Sequence, residues 1–437
     1  MLKRKIEAEM EAWRTTKTTQ GLLVTGARQI GKTYSIEAFG REHYDSTVKI
    51  DFVEQPRAIE VIGAAQDLDD LLLRITSLSS QPLSEGKTLL FFDEVQRCAD
   101  AITWMRYLAQ DSRFDVIYSG SMLGIEAYDF RSLPVGTIDI LEMFPLDFEE
   151  FCWAHGLDAT LWNTSRECFA SRAPVPDFIH EKLLDLWMRY LLIGGMPEPV
   201  QLLLDTQDTQ RVRGRQRGIL STYRADITRY TEDKPRARQV KTIYDAIPSQ
   251  LNKENRRFNV SAATEGGRFE RLASDFDWLE DAGVVIPARR CTQATFPLGL
   301  SEEASHFKLY LSDVGLLFST FPATDVERLL AKAPDMSLGS VFENAVAQEL
   351  RAHGHERIYY YKKRGVGEVD FLVDEAQDPL VVPIEVKSGA SSHKHAALDA
   401  LLEVKNYKLE GAVVLHTQNV EEQGAITYLP IYMAAFL

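Results

Sequence analysis

The spacing of apolar residues changes character along the 437-residue chain. In the first third, short apolar runs stand apart from one another: LLVT before Gly26 and LLFF before Asp93, with a third strand, FDVIY, from Phe114. Runs of this kind are what parallel strands buried on both faces look like. Between Asp177 and Val200 the segment DFIHEKLLDLWMRYLLIGGMPEPV places apolar residues at three- and four-residue steps, the period of a helix, and the GGMPEP cluster stops it. The same period recurs in ILSTYRADITRY and VKTIYDAIPSQL, split by the polar turn TEDKP. RFERLASDFDWLEDAG then reads as an amphipathic helix, GVVIPARRCT as a strand, and HFKLYLSDVGLL as a closing strand and turn.

The last hundred residues open with a helix whose expected buried face is Val341, Phe342, Ala345, Val346 and Leu350, leaving Glu343 at its border. Strands YYYKK, EVDFLV and VVPIEVK follow, then a helix over about Ala396–Val404 and the strand GAVVLHT. This is an α-β-β-β-α-β order. The chain divides accordingly into 1–150, a helical segment 151–210, a helix-and-hairpin region 211–335, and an α/β region 336–437.

Composition narrows the class. Hydrophobic residues make up 45% and charged residues 26%, as in soluble globular proteins. No apolar run reaches membrane-spanning length, and MLKRKIEAEMEAWRTTK lacks the apolar core of a signal peptide. Cys98, Cys152, Cys168 and Cys291 show no CxxC spacing, so a reducing cytoplasm is the expected location. The net charge of −15 argues against a protein that coats nucleic acid with its whole surface. Charge is unevenly spread, however. Residues 211–257 hold 13 Lys and Arg against 5 Asp and Glu, an excess of +8, so the remainder carries −23. A local anionic partner such as DNA or an acidic subunit fits this segment, and so does a solvated helical face.

Chemistry first enters at GARQIGKT. The octet matches GxxxxGK[ST] between an apolar strand and a helix start. Gly26, Ala27, Arg28, Gln29, Ile30, Gly31, Lys32, Thr33 and Tyr34 are thus the expected nucleotide cradle, with backbone N–H groups and the helix N-terminus facing phosphate. Lys32 would reach the β- and γ-phosphates of ATP, and Thr33 would hold Mg²⁺. Behind LLFF, Asp93 would assist the same ion and Glu94 would polarise the attacking water, which favours hydrolysis over binding alone. The strand ending in Ser119-Gly-Ser121 offers a hydroxyl near the γ-phosphate, although a plain turn explains it as well.

With GARQIGKT, FFDEVQ, IYSGS, PLDFEEF, GGMPE and VFEN…EVDF…IEVK in place, the chain resembles prokaryotic AAA-type ATPases that carry a C-terminal domain of unknown function. The resemblance implies an α/β fold: an AAA-type P-loop NTPase parallel sheet, a helical and winged-helix middle, and a restriction-endonuclease-like C-terminal domain. It also implies ring-type homo-oligomers. Many relatives have Gly-Arg where this chain has Gly136-Thr137, so a role for that arginine does not transfer, and Arg131 is the available stand-in. Arg224 and Arg229 could serve as arginine fingers, or simply pair with Glu232 or Asp233.

The nuclease-like resemblance rests on Asp370, Glu385 and Lys387, with Glu343 upstream. Asp370, Glu385 and Glu343 would hold a second Mg²⁺ or Mn²⁺ through oxygen, and Lys387 would orient the attacking water. Two functions are compatible with these parts. One is an ATP-driven protein acting on DNA; the other is a nucleotide-dependent interaction switch with a non-cleaving relic at its C-terminus.

Overall fold

The computed structural model describes residues 2–16, 21–120, 137–230, 233–253, 256–264, 267–330, 338–374, 379–389 and 393–437. Ser121, Arg131 and Gly136 lie outside them, as does the side chain of Arg229. Two compact units emerge: Lys3–Phe144, with the short stretch Asp281–Gly283, and Pro145–Glu280 with Val284–Leu437.

The N-terminal unit is built on a five-stranded parallel sheet. Its strands are β1 (Gly21–Thr25), β2 (Ser46–Asp51), β3 (Thr88–Asp93), β4 (Asp115–Ser119) and β5 (Ile138–Glu142), in the order β2-β3-β4-β1-β5. Every residue of β1, β3 and β4 is buried, as their short apolar runs require. Leu23, Val48, Ile50, Leu90, Phe92, Val116 and Tyr118 pack with the helices Arg57–Gly63, Leu68–Leu78 and Ala99–Gln110 into one core. All the strands point the same way, so the carboxyl ends of β1, β3 and β4 share one edge, where ligands bind in open α/β sheets.

In the second unit an eight-stranded mixed sheet joins β6 (Val285–Cys291), β7 (Glu302–Leu311), β8 (Ile358–Lys363), β9 (Gly367–Asp374), β10 (Val381–Val386), β11 (Ala412–His416), β12 (Glu421–Gln423) and β13 (Ile426–Pro430). Their order is β12-β13-β11-β10-β9-β8-β6-β7. The α-β-β-β-α-β sequence is present as helix Gly339–Ala352, β8, β9, β10, helix Ala396–Leu402 and β11.

Two expectations need revision. The hairpin β6–β7 extends the C-terminal sheet, β6 pairing in parallel with β8, so a border at 335 divides a single sheet. Likewise, residues 151–210 share their compact unit with the C-terminal sheet and not with the P-loop sheet. Hydrogen bonding supplies the reason. Asp147 and Glu150 of PLDFEEF form a capping box that starts the helix Phe148–Ala154, and the Phe148 N–H donates to Glu349 at 3.0 Å. Tyr190 donates to the Leu146 carbonyl and to Glu349, each at 2.9 Å. The GGMPE glycines meet the same knot: the Leu146 N–H reaches the Gly195 carbonyl at 2.7 Å, and Gly195 donates to Asp313 at 2.5 Å. Burial holds the Asp313 carboxyl up at about 6 despite these donors.

The helix Gly339–Ala352 also departs from its expected one-sided burial. Ser340 to Leu350 are all buried. Its polar residues reach partners on separate sides: Asn344 bonds both the N–H and the carbonyl of Leu311, while Gln348 accepts from the Val314 N–H and donates to Tyr190. Amphipathicity marks one buried face; it cannot show that a second face is buried through satisfied polar groups.

Candidate functional site

At the carboxyl edge of the parallel sheet, β1 gives way to the loop 26–31 and the helix Lys32–His43. Gly26 adopts φ 134°, and a Cβ there would overlap the Met143 carbonyl oxygen. Gly31 at φ 95° turns the backbone into the helix. Ile30 is fully buried and anchors the loop, and the Arg4 guanidinium bonds the carbonyls of Ile30 (2.8 Å) and Phe144 (2.7 Å). Arg4 escaped the sequence reading, because nothing in MLKRK distinguishes a buried arginine from a solvated one.

Lys32 is buried, and its ammonium donates to the carbonyls of Gly26 (2.8 Å) and Ala27 (2.7 Å). Burial pushes it down to about 8, partly offset by Glu94 and Asp93. The Thr33 hydroxyl donates to Asp93 Oδ2 at 2.8 Å, and the Ser119 hydroxyl makes a short bond to the other oxygen. Asp93, Thr33 and Ser119 therefore converge from three elements. Oxygen donors on a hydroxyl and a carboxylate suit Mg²⁺, so the group implied by the motif fits these residues. Tyr34 stands about half exposed beyond them.

Glu94 sits at φ 55°, turned out of β3, and its Oε2 accepts from Gln96 Nε2 at 2.6 Å and from Arg28 at 3.4 Å. Gln96 was missed, as was Lys49 on β2, whose ammonium lies 3.2 Å from Glu37, 3.4 Å from Asp51 and 3.5 Å from Asp93. A lysine within VKIDF was the available signal.

In the C-terminal sheet, the β9–β10 register continued by one residue sets Glu385 opposite Asp370. Asp370 Oδ2 accepts from the Val386 N–H at 3.0 Å. Burial, and then the neighbouring Asp370 charge, push Glu385 up to about 7, while Lys387 donates to its Oε1 at 2.7 Å. Glu343 joins the group from its helix, accepting from Tyr310 at 2.9 Å and pairing with Arg256. The four sequence-picked residues are thus brought near one another.

At the centre of this group is a residue that the sequence reading passed over. Lys308 of β7 is fully buried, with its ammonium 3.0 Å from Glu368, 3.4 Å from Glu343 and 3.4 Å from Asp370. Burial would lower Lys308, but Tyr310, Asp370 and Glu368 outweigh it and hold the side chain charged. Among the described residues, no three acidic, histidine or cysteine groups form a cluster suited to an ion. The second divalent ion expected at Glu343, Asp370 and Glu385 therefore does not fit this arrangement, because a cation of the chain stands between the carboxylates.

The basic segment is largely spent within the fold. Arg213 and Arg217 donate to the carbonyls of Pro322 and Ser319, Arg215 pairs with Glu198, Arg224 with Asp245, and Arg236 with Asp275. Arg224 thus pairs with Asp245 and not with Asp233, while Glu232 lies outside the described residues. Lys234, Arg238 and Lys241 remain exposed at helical spacing on Lys234–Leu251. The amphipathic helix Phe269–Asp281 carries Glu270, Asp277, Glu280 and Asp281 outside its core against Arg271, while Asp275 is buried against Arg236; this charge balance is ill-suited to a phosphate backbone. All four cysteines are free, and no described helix is long and apolar enough to cross a membrane.

Residues 18–152 match a family model described as an AAA domain. Residues 184–327 and 338–433 match two models described as domains of unknown function (DUF8612 and DUF4143). No curated protein matches the chain. Among solved structures, the chain is similar to the Walker-type ATPase of Pyrococcus abyssi, at 16% identity over 73% of this chain and 95% of that one, with a TM-score of 0.46. It is also similar to the Aeropyrum pernix ORC1 protein in complex with DNA (10% identity, 76% and 93% covered, TM-score 0.30). A third is Drosophila ORC bound to DNA (12% identity, 76% and 95% covered, TM-score 0.29).

Proposed function

We propose that the chain binds and hydrolyses ATP in its N-terminal unit and uses the cycle to act on DNA. The observation carrying the first part is the convergence of Lys32, Thr33, Asp93, Glu94 and Ser119 at the carboxyl edge of a parallel sheet in the order β2-β3-β4-β1-β5. The match of residues 18–152 to an AAA domain supports it.

Each residue then has a task. Backbone N–H groups of the loop Gly26–Thr33 hold the β-phosphate, and Lys32 exchanges its two carbonyl partners for phosphate oxygens. Thr33 and Asp93 would hold Mg²⁺, which supplies Lewis-acid neutralisation of charge on the departing phosphate. Glu94 takes the proton of the attacking water as its oxygen bonds to the γ-phosphorus and the bond to the ADP oxygen breaks. Ser119, bonded to Asp93 and close to the Glu94 N–H at 3.4 Å, positions that carboxylate pair. ATP turnover measured on wild type, Lys32→Ala and Glu94→Gln tests this. Undiminished turnover in both variants would remove the assignment.

For DNA, the surface that supports the reading is the exposed row Lys234, Arg238 and Lys241, whose spacing suits phosphate contacts along one groove edge. Duplex binding measured across low salt, with and without ATP, decides the matter. Its absence throughout would favour the second reading, a nucleotide-dependent protein-interaction switch. The acidic helix Phe269–Asp281 is the observation that favours the switch.

A further inference from the structure

The mixed sheet of the C-terminal region places four carboxylates together: Glu343, Glu368, Asp370 and Glu385. Four cations answer them. Arg256 pairs with Glu343, Lys362 with Glu368 at 2.7 Å, and Lys387 with Glu385 at 2.7 Å. Lys308 completes the set, its ammonium among Glu343, Glu368 and Asp370 with no exposure to solvent. An ammonium has three N–H donors, and three carboxylates from a helix and a strand supply one oxygen each. A site built for a divalent ion keeps a surplus of negative oxygens and room for water or substrate. Here four carboxylates meet four cations, and the central position belongs to a fully buried side chain of the protein.

We propose that Lys308 is the resident cation of this cluster, standing where a nuclease-type site would hold its divalent ion, so that the C-terminal region works without metal and does not cut DNA. The inference rests on the nuclease-like reading of β8–β11. It makes that region a fixed module whose site is closed by a hairpin from the middle of the chain. Arg256, which precedes that hairpin in the chain, adds a second cation from the middle region through its pair with Glu343. The cluster that looked catalytic is thereby a buried ion-pair core: removing one member leaves charges unpaired, whereas adding an ion would crowd like charges.

Mn²⁺ uptake by the full-length, nucleotide-free chain tests the proposal, followed by electron paramagnetic resonance and by melting temperature. Asp93→Asn serves as background, so that the N-terminal site contributes nothing. With Lys308 intact, Mn²⁺ stays free and melting does not move. In Lys308→Ala the carboxylates lose their cation; melting falls, and Mn²⁺ binds and raises it again. Lys308→Arg, which keeps the charge, neither binds Mn²⁺ nor responds to it. Mn²⁺ bound with Lys308 intact and released by Asp370→Ala would overturn the proposal, as would plasmid cleavage that Asp370→Ala abolishes. A folded Lys308→Ala that takes up no Mn²⁺ would show that the position is not an ion site, and would remove the nuclease-like reading while leaving the ATPase reading intact. Should Lys308→Ala fail to fold, Mn²⁺ binding and plasmid integrity with Lys308 intact still decide between the outcomes.

Discussion

Gly195→Ala should be among the most destabilising single-methyl additions in the second unit. The added Cβ would overlap the carbonyl oxygen of Leu146, which is backbone and cannot rotate away. Overpacking of this kind costs roughly 1–3 kcal/mol when neighbours can shift. Here the shift must also open the bond from the Leu146 N–H to the Gly195 carbonyl, 2.7 Å long, or the one from Gly195 to the buried Asp313 carboxylate. Losing a hydrogen bond to a buried charged group adds about 1.5–3 kcal/mol. The sum is about 2.5–6 kcal/mol. At roughly 2 °C per kcal/mol for a unit of about 290 residues, melting should fall by about 5–12 °C. Circular dichroism measures it, with ATP affinity of the N-terminal unit as an internal control expected to stay within about twofold of wild type, well under the ~1.4 kcal/mol that tenfold represents. A variant that melts with wild type but loses activity would refute the packing role given to GGMPE and make that motif functional instead.

Other outcomes follow from the same geometry. Glu94→Gln should bind ATP normally and lower kcat by about 100-fold or more, the range for losing a general base; Gln96→Leu should give a smaller fall, since it only holds Glu94 in place. Joint reversal of Lys234, Arg238 and Lys241 to Glu should weaken duplex binding and flatten its logarithmic salt slope by roughly 3, at about 0.9 per phosphate contact. An unchanged slope would move the interface elsewhere. Burial pushes His416 down to about 4 from 6.5, with His393, Glu421 and His180 as nearby charges. The unfolded chain therefore takes the proton first, and stability falls as pH drops from about 6.5 to 4, by up to about 3 kcal/mol at ~1.4 kcal/mol per pH unit. Chemical denaturation of His416→Gln, which keeps a donor for the Asn419 carbonyl, should lack that acid limb.

The nucleotide site was legible because its chemistry is local. GARQIGKT carries its own turn residues and LLFFDE its own strand and carboxylates, so each piece could be identified without knowing its neighbours. Only the convergence of Thr33, Asp93 and Ser119 required the sheet order. PLDFEEF and GGMPE were visible as unusual strings, yet their meaning is non-local: a capping box and two glycines sharing one buried knot with Glu349 and Asp313.

By itself, the sequence determined the parallel-strand runs, the phosphate loop, the acidic strand end, and the alternation that sets Asp370 and Glu385 among strands. Those depend on periodicity and on short-range spacing. Tertiary structure alone decided what the C-terminal carboxylates face. Lys308 lies 62 residues before Asp370, in a strand otherwise read as part of a separate region. Periodicity can show that a charge points into a sheet. It cannot show which distant cation meets it there, since pairing depends on strand order, and strand order is set by the packing of the whole unit.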